Sequence, residues 1–277
     1  MFDVIDNEKL VPNLYLLTVR APDVVESIQP GQFVILRSDE QAERIPLSAA
    51  DWDRETGTLS IIYMVVGAST EKLSSLRAGD SVPTVVGPLG RPTEIDTFGS
   101  VVCVGGCYGM GSLFPIIKAL KEKGNEITAV YEARSHNLLY WQDKVEPYCK
   151  RVITLTRDGS SGYKGHIKKG LDVLEKIGVK PDRVIGNGCT FSVYKTAQEF
   201  ARYDVPIIVS LNTIMIDGTG MCGVCRVTVD GKMKFACVDG PDFDGRLVDW
   251  EELFKRRKQY LDQEAFLVHN SGCGGVL

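Results

Sequence analysis

Asp217, Cys222, Cys225 and Cys237 lie in the string IMIDGTGMCGVCRVTVDGKMKFACVDG, where four residues separate Asp217 from Cys222, two separate Cys222 from Cys225 and eleven precede Cys237. The first two gaps are those of a plant-type C-x4-C-x2-C loop with aspartate replacing its first cysteine, and a distant fourth ligand closes such a loop around a 2Fe-2S cluster. Gly218, Gly220 and Gly223 suit it, because backbone amides must approach inorganic sulfur where side chains would obstruct them. The run RVTVDGKMKFACV alternates around Asp230 and Gly231, which predicts a hairpin that returns Cys237 to the loop. A structural zinc would also use Cys222 and Cys225 as a knuckle, but no second Cys-x-x-Cys pair or paired histidine accompanies them. The residues leave two roles open for Asp217. It is a ligand, or it caps a turn while water, a partner residue or Cys273 completes the set.

Two other strings carry binding chemistry. In RIPLS, Arg44 can hold a pyrophosphate while the backbone and hydroxyl at Pro46, Leu47 and Ser48 can meet a flat heterocycle. Fifteen residues beyond Ser48, YMVVGAST ends a strand in Gly67, Ser69 and Thr70, which can reach phosphate through backbone amides. Further on, the strand VVCVG runs into Gly105, Gly106, Cys107, Tyr108, Gly109, Met110 and Gly111 and then a helix, a turn in which a pyrophosphate can approach the backbone and the positive helix end. It departs from the G-x-G-x-x-G pattern, so its position at a strand end carries the argument. Arg134 in YEARS and Arg157 and Asp158 in TRDGSSGYKG follow the next two strands, where an adenosine ribose is expected, although each arginine also reads as a solvated surface residue. Cys189, in GNGCT, follows the fourth strand. Cys103 and Cys149 read as packing residues, and Cys107 is ambiguous. His136, His166 and His269 show no metal-ligand spacing.

The elements that must position these residues fall into three stretches. Residues 1–97 hold β-rich runs (LYLLTVRAP, GQFVILRS, LSIIYMVV) separated by PG, TG and AGD turns, which predicts an antiparallel barrel. Residues 98–212 alternate buried strands (VVCVG, ITAVY, RVITL, RVIGN, PIIVSL) with helices such as SLFPIIKALKEKG and FSVYKTAQEFARYD, which predicts a doubly wound parallel sheet. Residues 213–277 hold the cysteine loop, the hairpin, a polar helical segment VDWEELFKRRKQYLDQEAF and a glycine-rich tail with Cys273.

Composition narrows the class. The chain of 277 residues has room for two domains and a small third one, and its formal net charge of −4 argues against nucleic-acid binding. No apolar run reaches membrane-spanning length, and MFDVIDNEKL lacks the regions of a signal peptide, so a cytoplasmic protein without membrane association is expected. Eight cysteines then point to a reducing compartment and to cofactor ligation or burial rather than disulfides. No acid-base pair or activated nucleophile emerges, as a relay of electrons requires neither.

The strings R-x-P-L-S, Y-x-V with G-x-S-T, and GPLGRP at Gly87–Pro92 resemble the flavin domain of the ferredoxin-NADP reductase superfamily, in the branch of the dihydroorotate dehydrogenase electron-transfer subunit. The resemblance runs through nearly the whole chain. It implies FAD held by Pro46, Leu47 and Ser48 at the isoalloxazine, by Tyr63, Met64 and Val65 beside it, and by Arg44, Ser69 and Thr70 at the phosphates. It also implies a nicotinamide nucleotide at the glycine loop, with Cys189 bordering the hydride path. Relatives often carry TDDGS where this chain has Arg157 and Asp158; Asp158 favours NAD(H), and NADP(H) stays open. The string D-G-T-G-M-C-G-x-C-R-V-T-V, with Asp217 at the first position, resembles the small subunit of the NADH-dependent reduced ferredoxin:NADP oxidoreductase, an electron-bifurcating transhydrogenase, and the related sulfide dehydrogenase subunit. That likeness implies a heterodimer with a larger subunit carrying a second flavin, 4Fe-4S clusters and contact with ferredoxin. The dihydroorotate dehydrogenase subunit, which normally has cysteine at the Asp217 position, and a non-enzymatic flavin protein with structural zinc are the alternatives.

Overall fold

The computed structural model describes residues 1–260. Cys273, His269 and the end of the expected C-terminal helix lie outside them.

The first sheet contains β1 (Phe2–Val11), β2 (Leu14–Arg20), β3 (Phe33–Arg37), β4 (Ile45–Asp53), β5 (Thr58–Met64), β6 (Ser81–Val82) and β7 (Thr84–Leu89), with α1 (Pro22–Ser27) and α2 (Ala68–Ser75) in its connections. Its order is β6-β1-β2-β5-β4-β3-β7 and every pairing is antiparallel. The two edge strands are separated in sequence only by Pro83, so the sheet must curl until its edges meet. Strand alternation then sorts side chains. Leu17, Val19, Val34, Leu36, Leu59, Ile61 and Tyr63 fill the barrel, while Leu14 and Ile62 join a core outside it.

The second sheet is built from β8 (Ser100–Gly106), α3 (Gly109–Glu122), β9 (Glu126–Ala133), α4 (Gln142–Val145), β10 (Arg151–Thr156), β11 (Tyr163–Lys164), α5 (Ile167–Lys176), β12 (Arg183–Asn187), α6 (Thr190–Phe200) and β13 (Ile207–Ser210). The hairpin β14 (Arg226–Val229) and β15 (Lys232–Phe235) follows, then β16 (Asp242–Asp244) and α7 (Trp250–Arg257). Sheet order is β11-β10-β9-β8-β12-β13-β16, parallel except for β16. The order reverses between β8 and β12, so their C-terminal ends form the switch point at which open α/β sheets bind ligands.

The C-terminal stretch completes this second sheet rather than standing apart. β16 is its edge strand, and Val227, Val229, Val248 and Leu253 belong to its core. Asp230 and Gly231 have φ of 51° and 67°, the left-handed pair that a two-residue hairpin turn demands. Two further contacts fasten the barrel to this stretch: the Arg91 amide donates to Gly240 O (2.6 Å) and Thr93 Oγ1 donates to Asp242 Oδ2 (2.6 Å). No helix of the described residues is long and apolar enough to cross a membrane.

Candidate functional site

Strand parity places the three expected binding regions around one barrel face. Phe33 and Ile35 on β3 turn outward and pack with Met215, Cys225, Ala236 and Cys237. Their register partners on β4 are Ser48 and Pro46, which share that outer face about 4.8 Å further along the sheet. Beyond them, Ala50 on β4 and Ile62 and Met64 on β5 pack in the core that contains Leu113 and Phe114 of α3. Leu47, Tyr63 and Val65 point the other way, into the barrel, and Tyr63 is 1% exposed with its hydroxyl donating to Asn7 Oδ1 (3.1 Å). Of the flavin-contact residues implied by resemblance, then, Pro46, Ser48 and Met64 offer side chains, whereas Leu47, Tyr63 and Val65 offer main-chain groups.

The phosphate end is assembled by a loop over α2. Ser69 Oγ donates to Glu43 Oε2 (3.2 Å) and Lys72 pairs with Asp39 (3.1 Å), which holds the loop bearing exposed Arg44 beside the start of this helix. Thr70 Oγ1 accepts the amides of Val66 and Gly67 and donates to Gly67 O, so its hydroxyl shapes the turn. A Cβ at Gly67 would meet nothing within 4 Å, so the helix entry opens onto free space. An exposed guanidinium beside an open helix start suits a pyrophosphate, and the outer-face residues suit the ring system.

The glycine loop departs from its expected role. A Cβ on Gly105 would lie 2.6 Å from Met110 Cε, one on Gly109 2.1 Å from Asn187 O and one on Gly111 2.6 Å from Ile62 Cδ1. These three glycines therefore close-pack the β8 turn against α3, β12 and the barrel, and Met110 is buried in the core rather than turned to a ligand. Gly106 is different: its Cβ would strike Ser192 Oγ at 2.7 Å and approach Glu132 Oε2 at 3.3 Å. Ser192 and Glu132 both line a cavity of about 260 Å³ with His166, Ile167, Lys168 and Phe191, at the C-terminal edge of the sheet. Asn187 Oδ1, Thr190 Oγ1 and Ser192 Oγ are buried at this switch point without a hydrogen-bond partner, which suits a polar nucleotide.

Glu132 is the residue that sequence reasoning passed over. It stands one residue before the end of β9, in the same YEARS string as Arg134, almost fully buried, and accepts from Arg157 Nε (3.1 Å) and His166 Nδ1 (3.2 Å). Its place at the end of the second strand is where a ribose-binding acid stands in dinucleotide folds. Asp158 is instead an exposed turn residue: its carboxylate accepts the Ser160 hydroxyl (2.7 Å) and amide (2.9 Å), which hold its pKa down at about 2. Arg134 is exposed, and Arg157 stands over Glu132. Cys189 is the residue preceding α6, and Cys107, in the β8–α3 turn, has a φ of 54°.

In the cysteine loop the four expected ligands fall into two pairs. Cys225 Sγ and Cys237 Sγ are 3.1 Å apart and buried, and burial pushes the Cys237 thiol up to about 12. Asp217 accepts the amides of Thr219 (2.9 Å) and Cys222 (2.7 Å), which holds its carboxyl below the usual range, so both capping and ligation are within its reach. Gly218, Gly220 and Gly223 have φ of 76°, 87° and 67°, and a Cβ on Gly218 would collide with Leu89 (2.7 Å) and Ile35 (3.0 Å) of the barrel. Among the described residues no three metal-ligating side chains converge on one point. Two pairs suit a cluster whose ligands divide between two irons better than a single tetrahedral zinc.

Residues 212–249 match the family model of the iron-sulfur cluster binding domain of dihydroorotate dehydrogenase B. A dihydroorotate dehydrogenase B (NAD(+)) electron transfer subunit homolog of Thermotoga maritima is 44% identical over 262 residues, covering 95% of this chain and 92% of its own length. The corresponding electron transfer subunit of Clostridium acetobutylicum is 30% identical, over 87% of this chain and 94% of its own. Among solved structures, a chain of the NADH-dependent reduced ferredoxin-NADP oxidoreductase, described in connection with flavin-based electron bifurcation, superposes with a TM-score of 0.91 at 43% identity, covering 98% of this chain and 97% of that one. A ferredoxin NADP+ reductase from Neisseria gonorrhoeae shares the fold at 14% identity and a TM-score of 0.58, over 73% of this chain and 90% of that one.

Proposed function

The chain belongs to the family of dihydroorotate dehydrogenase B-type electron transfer subunits, within the ferredoxin-NADP reductase fold, and on that premise we propose that it passes electrons between NAD(H) and a larger partner subunit through FAD and a 2Fe-2S cluster. One observation carries this reading. Phe33 and Ile35 touch the cysteine loop on one side and pair in register with Ser48 and Pro46 on the other, so the flavin face and the cluster loop are neighbours on a single sheet surface.

When bound, FAD supplies the conversion between two-electron hydride transfer and one-electron steps, and the cluster carries single electrons. The protein's own part is position. Pro46, Ser48 and Met64 present the flavin surface, Arg44 and the start of α2 hold phosphate, and Glu132 with the unpartnered Asn187, Thr190 and Ser192 receives the nucleotide. Cys225 with Cys237 would hold one iron and Asp217 with Cys222 the other. A carboxylate is a harder donor than thiolate, so Asp217 tunes the cluster potential.

The partner docks where the electrons leave. Ile216, Met221 and Val238 are exposed apolar side chains around the loop, with Met221 88% exposed, and such a patch marks an interaction surface. The 43% identity to the bifurcating oxidoreductase chain, together with Asp217, favours a partner of that type, carrying a second flavin and 4Fe-4S clusters and dealing with ferredoxin. The names of the curated relatives favour a second reading, a dihydroorotate dehydrogenase partner. Anaerobic co-purification from the native host, with the visible spectrum and NADH and NADPH titration of the complex, separates them. Flavin bands with one bound zinc and no iron-sulfur absorbance would end both readings.

A further inference from the structure

Behind the cysteine loop, α7 is fastened to the hairpin: the Asp249 amide donates to Thr228 O (2.9 Å) and the Thr228 amide to Glu252 Oε2 (3.1 Å). Between them lies a cavity of about 160 Å³. Thr213 line it from the chain entering the loop, Val224 and Arg226 from either side of Cys225, and Arg256 and Arg257 from the last turn of α7. None of these residues lines the nucleotide cavity. Two of the guanidiniums are oriented by the loop backbone. Arg226 Nη1 donates to Gly223 O (3.3 Å) and Arg256 Nη2 to Val224 O (2.9 Å), and each keeps further N–H donors for a ligand. Lys255 pairs with Glu251 (2.7 Å), but among the described residues Arg226, Arg256 and Arg257 have no carboxylate partner, and no carboxylate lines the cavity. Cations at a helix end offset its dipole, which accounts for Arg256 and Arg257 but not for Arg226 on β14. A second observation is independent of charge. Thr213 is 8% exposed, and its Oγ1 is buried without a hydrogen-bond partner, a cost that a bound acceptor removes.

We propose that this cavity binds a phosphoryl dianion, as free phosphate or as a phosphate monoester, held by Arg226, Arg256 and Arg257 together with the Thr213 hydroxyl. Three positive charges facing no carboxylate match a double negative charge better than a single one. The planar guanidinium fork also pairs with two oxygens of a tetrahedral phosphate at once. Val224 and Leu253 add apolar lining, which keeps water from competing and strengthens the charge pairing. The site bears on the relay, and that part rests on the function proposed above. Val224 and Arg226 flank Cys225, so the dianion sits against the segment that carries a cluster ligand. Negative charge there favours the oxidised cluster and lowers its midpoint potential, and by linkage cluster reduction weakens the affinity for the anion.

The test uses the full-length protein, purified anaerobically with cofactors bound into phosphate-free buffer and titrated by calorimetry with inorganic phosphate, methyl phosphate and acetate. Saturable binding of phosphate is expected, with acetate weaker by about tenfold or more. Methyl phosphate binding alongside phosphate identifies a monoester site, and phosphate binding alone a site for the free ion; either upholds the proposal. Arg257→Gln and Thr213→Val should each lower phosphate affinity by about tenfold, the effect of one lost charge-assisted hydrogen bond. Wild-type protein that binds neither phosphorylated probe overturns the site, and needs no variant to fold. Acetate binding as tightly as phosphate overturns the phosphoryl assignment, and phosphate binding unchanged by both substitutions overturns its placement. In a redox titration followed by EPR, saturating phosphate should move the cluster midpoint to a more negative potential; an unmoved midpoint overturns the coupling. Protein that binds phosphate but holds no cluster overturns the proposed function while the phosphate site stands.

Discussion

At the scale of the residue, the spacing of Asp217, Cys222, Cys225 and Cys237 points to a loop to which a hairpin returns Cys237, because ligand chemistry constrains sequence gaps directly, and the Cys225 and Cys237 sulfurs do meet at 3.1 Å. Replacing Asp217 by Cys should retain the cluster and shift its midpoint potential; an identical potential in a redox titration would show that the carboxylate only caps the amides of Thr219 and Cys222. Cys189 offers a second check. The Cys107 thiol, and then the amides of Ser192 and Phe191, hold its pKa down at about 6, against desolvation and the nearby Glu132 carboxylate. Because the thiolate is the nucleophile, its alkylation rate should rise through about pH 6 and be nearly flat by pH 8, and Cys107→Ala should move that midpoint upward. Glu132 was less legible. Nothing local in YEARS distinguishes a buried carboxylate from a surface one, and its burial depends on Arg157 and His166 arriving from later elements.

At the scale of the element, the strands and the Asp230–Gly231 hairpin could be read from period and turn chemistry, since these are local properties. The inward turn of Leu47, Tyr63 and Val65 could not, because strand parity is set by barrel closure and by the register shift in β4 between Ala49 and Asp51. The glycine loop was legible as a loop, but its glycines serve packing as much as binding. Gly109→Ala forces a methyl to 2.1 Å from Asn187 O, backbone against backbone. It should cost about 1–3 kcal/mol of stability by denaturant unfolding, and it should weaken NADH binding by displacing the turn. Gly67→Ala, which meets open space, should leave folding intact and reduce FAD retention only if phosphate lies against that helix start.

At the scale of the whole molecule, the three stretches read from sequence are interlocked. The C-terminal stretch contributes β16 to the second sheet and, through Gly240 and Asp242, grips the barrel at Arg91 and Thr93. Pairing between residues so far apart in the chain leaves no local trace in sequence. Its consequence is that the cysteine loop is held on the barrel and on the nucleotide sheet at once, with Met221 and its apolar neighbours left facing out. Met221→Glu should therefore keep flavin and cluster absorbance while reducing association with the partner subunit at least tenfold in a pull-down from the native host.

The path from flavin face to cluster loop crosses the outer surface of β3 and β4. It is tested most directly by anaerobic NADH titration of the isolated chain, following flavin absorbance and the low-temperature EPR signal of a reduced 2Fe-2S cluster in the same samples. NADH should bleach the flavin and a rhombic cluster signal should grow in with it, and Cys225→Ser should lose the signal but keep the bleaching. A bleached flavin beside an intact cluster that dithionite reduces and NADH never does would contradict it.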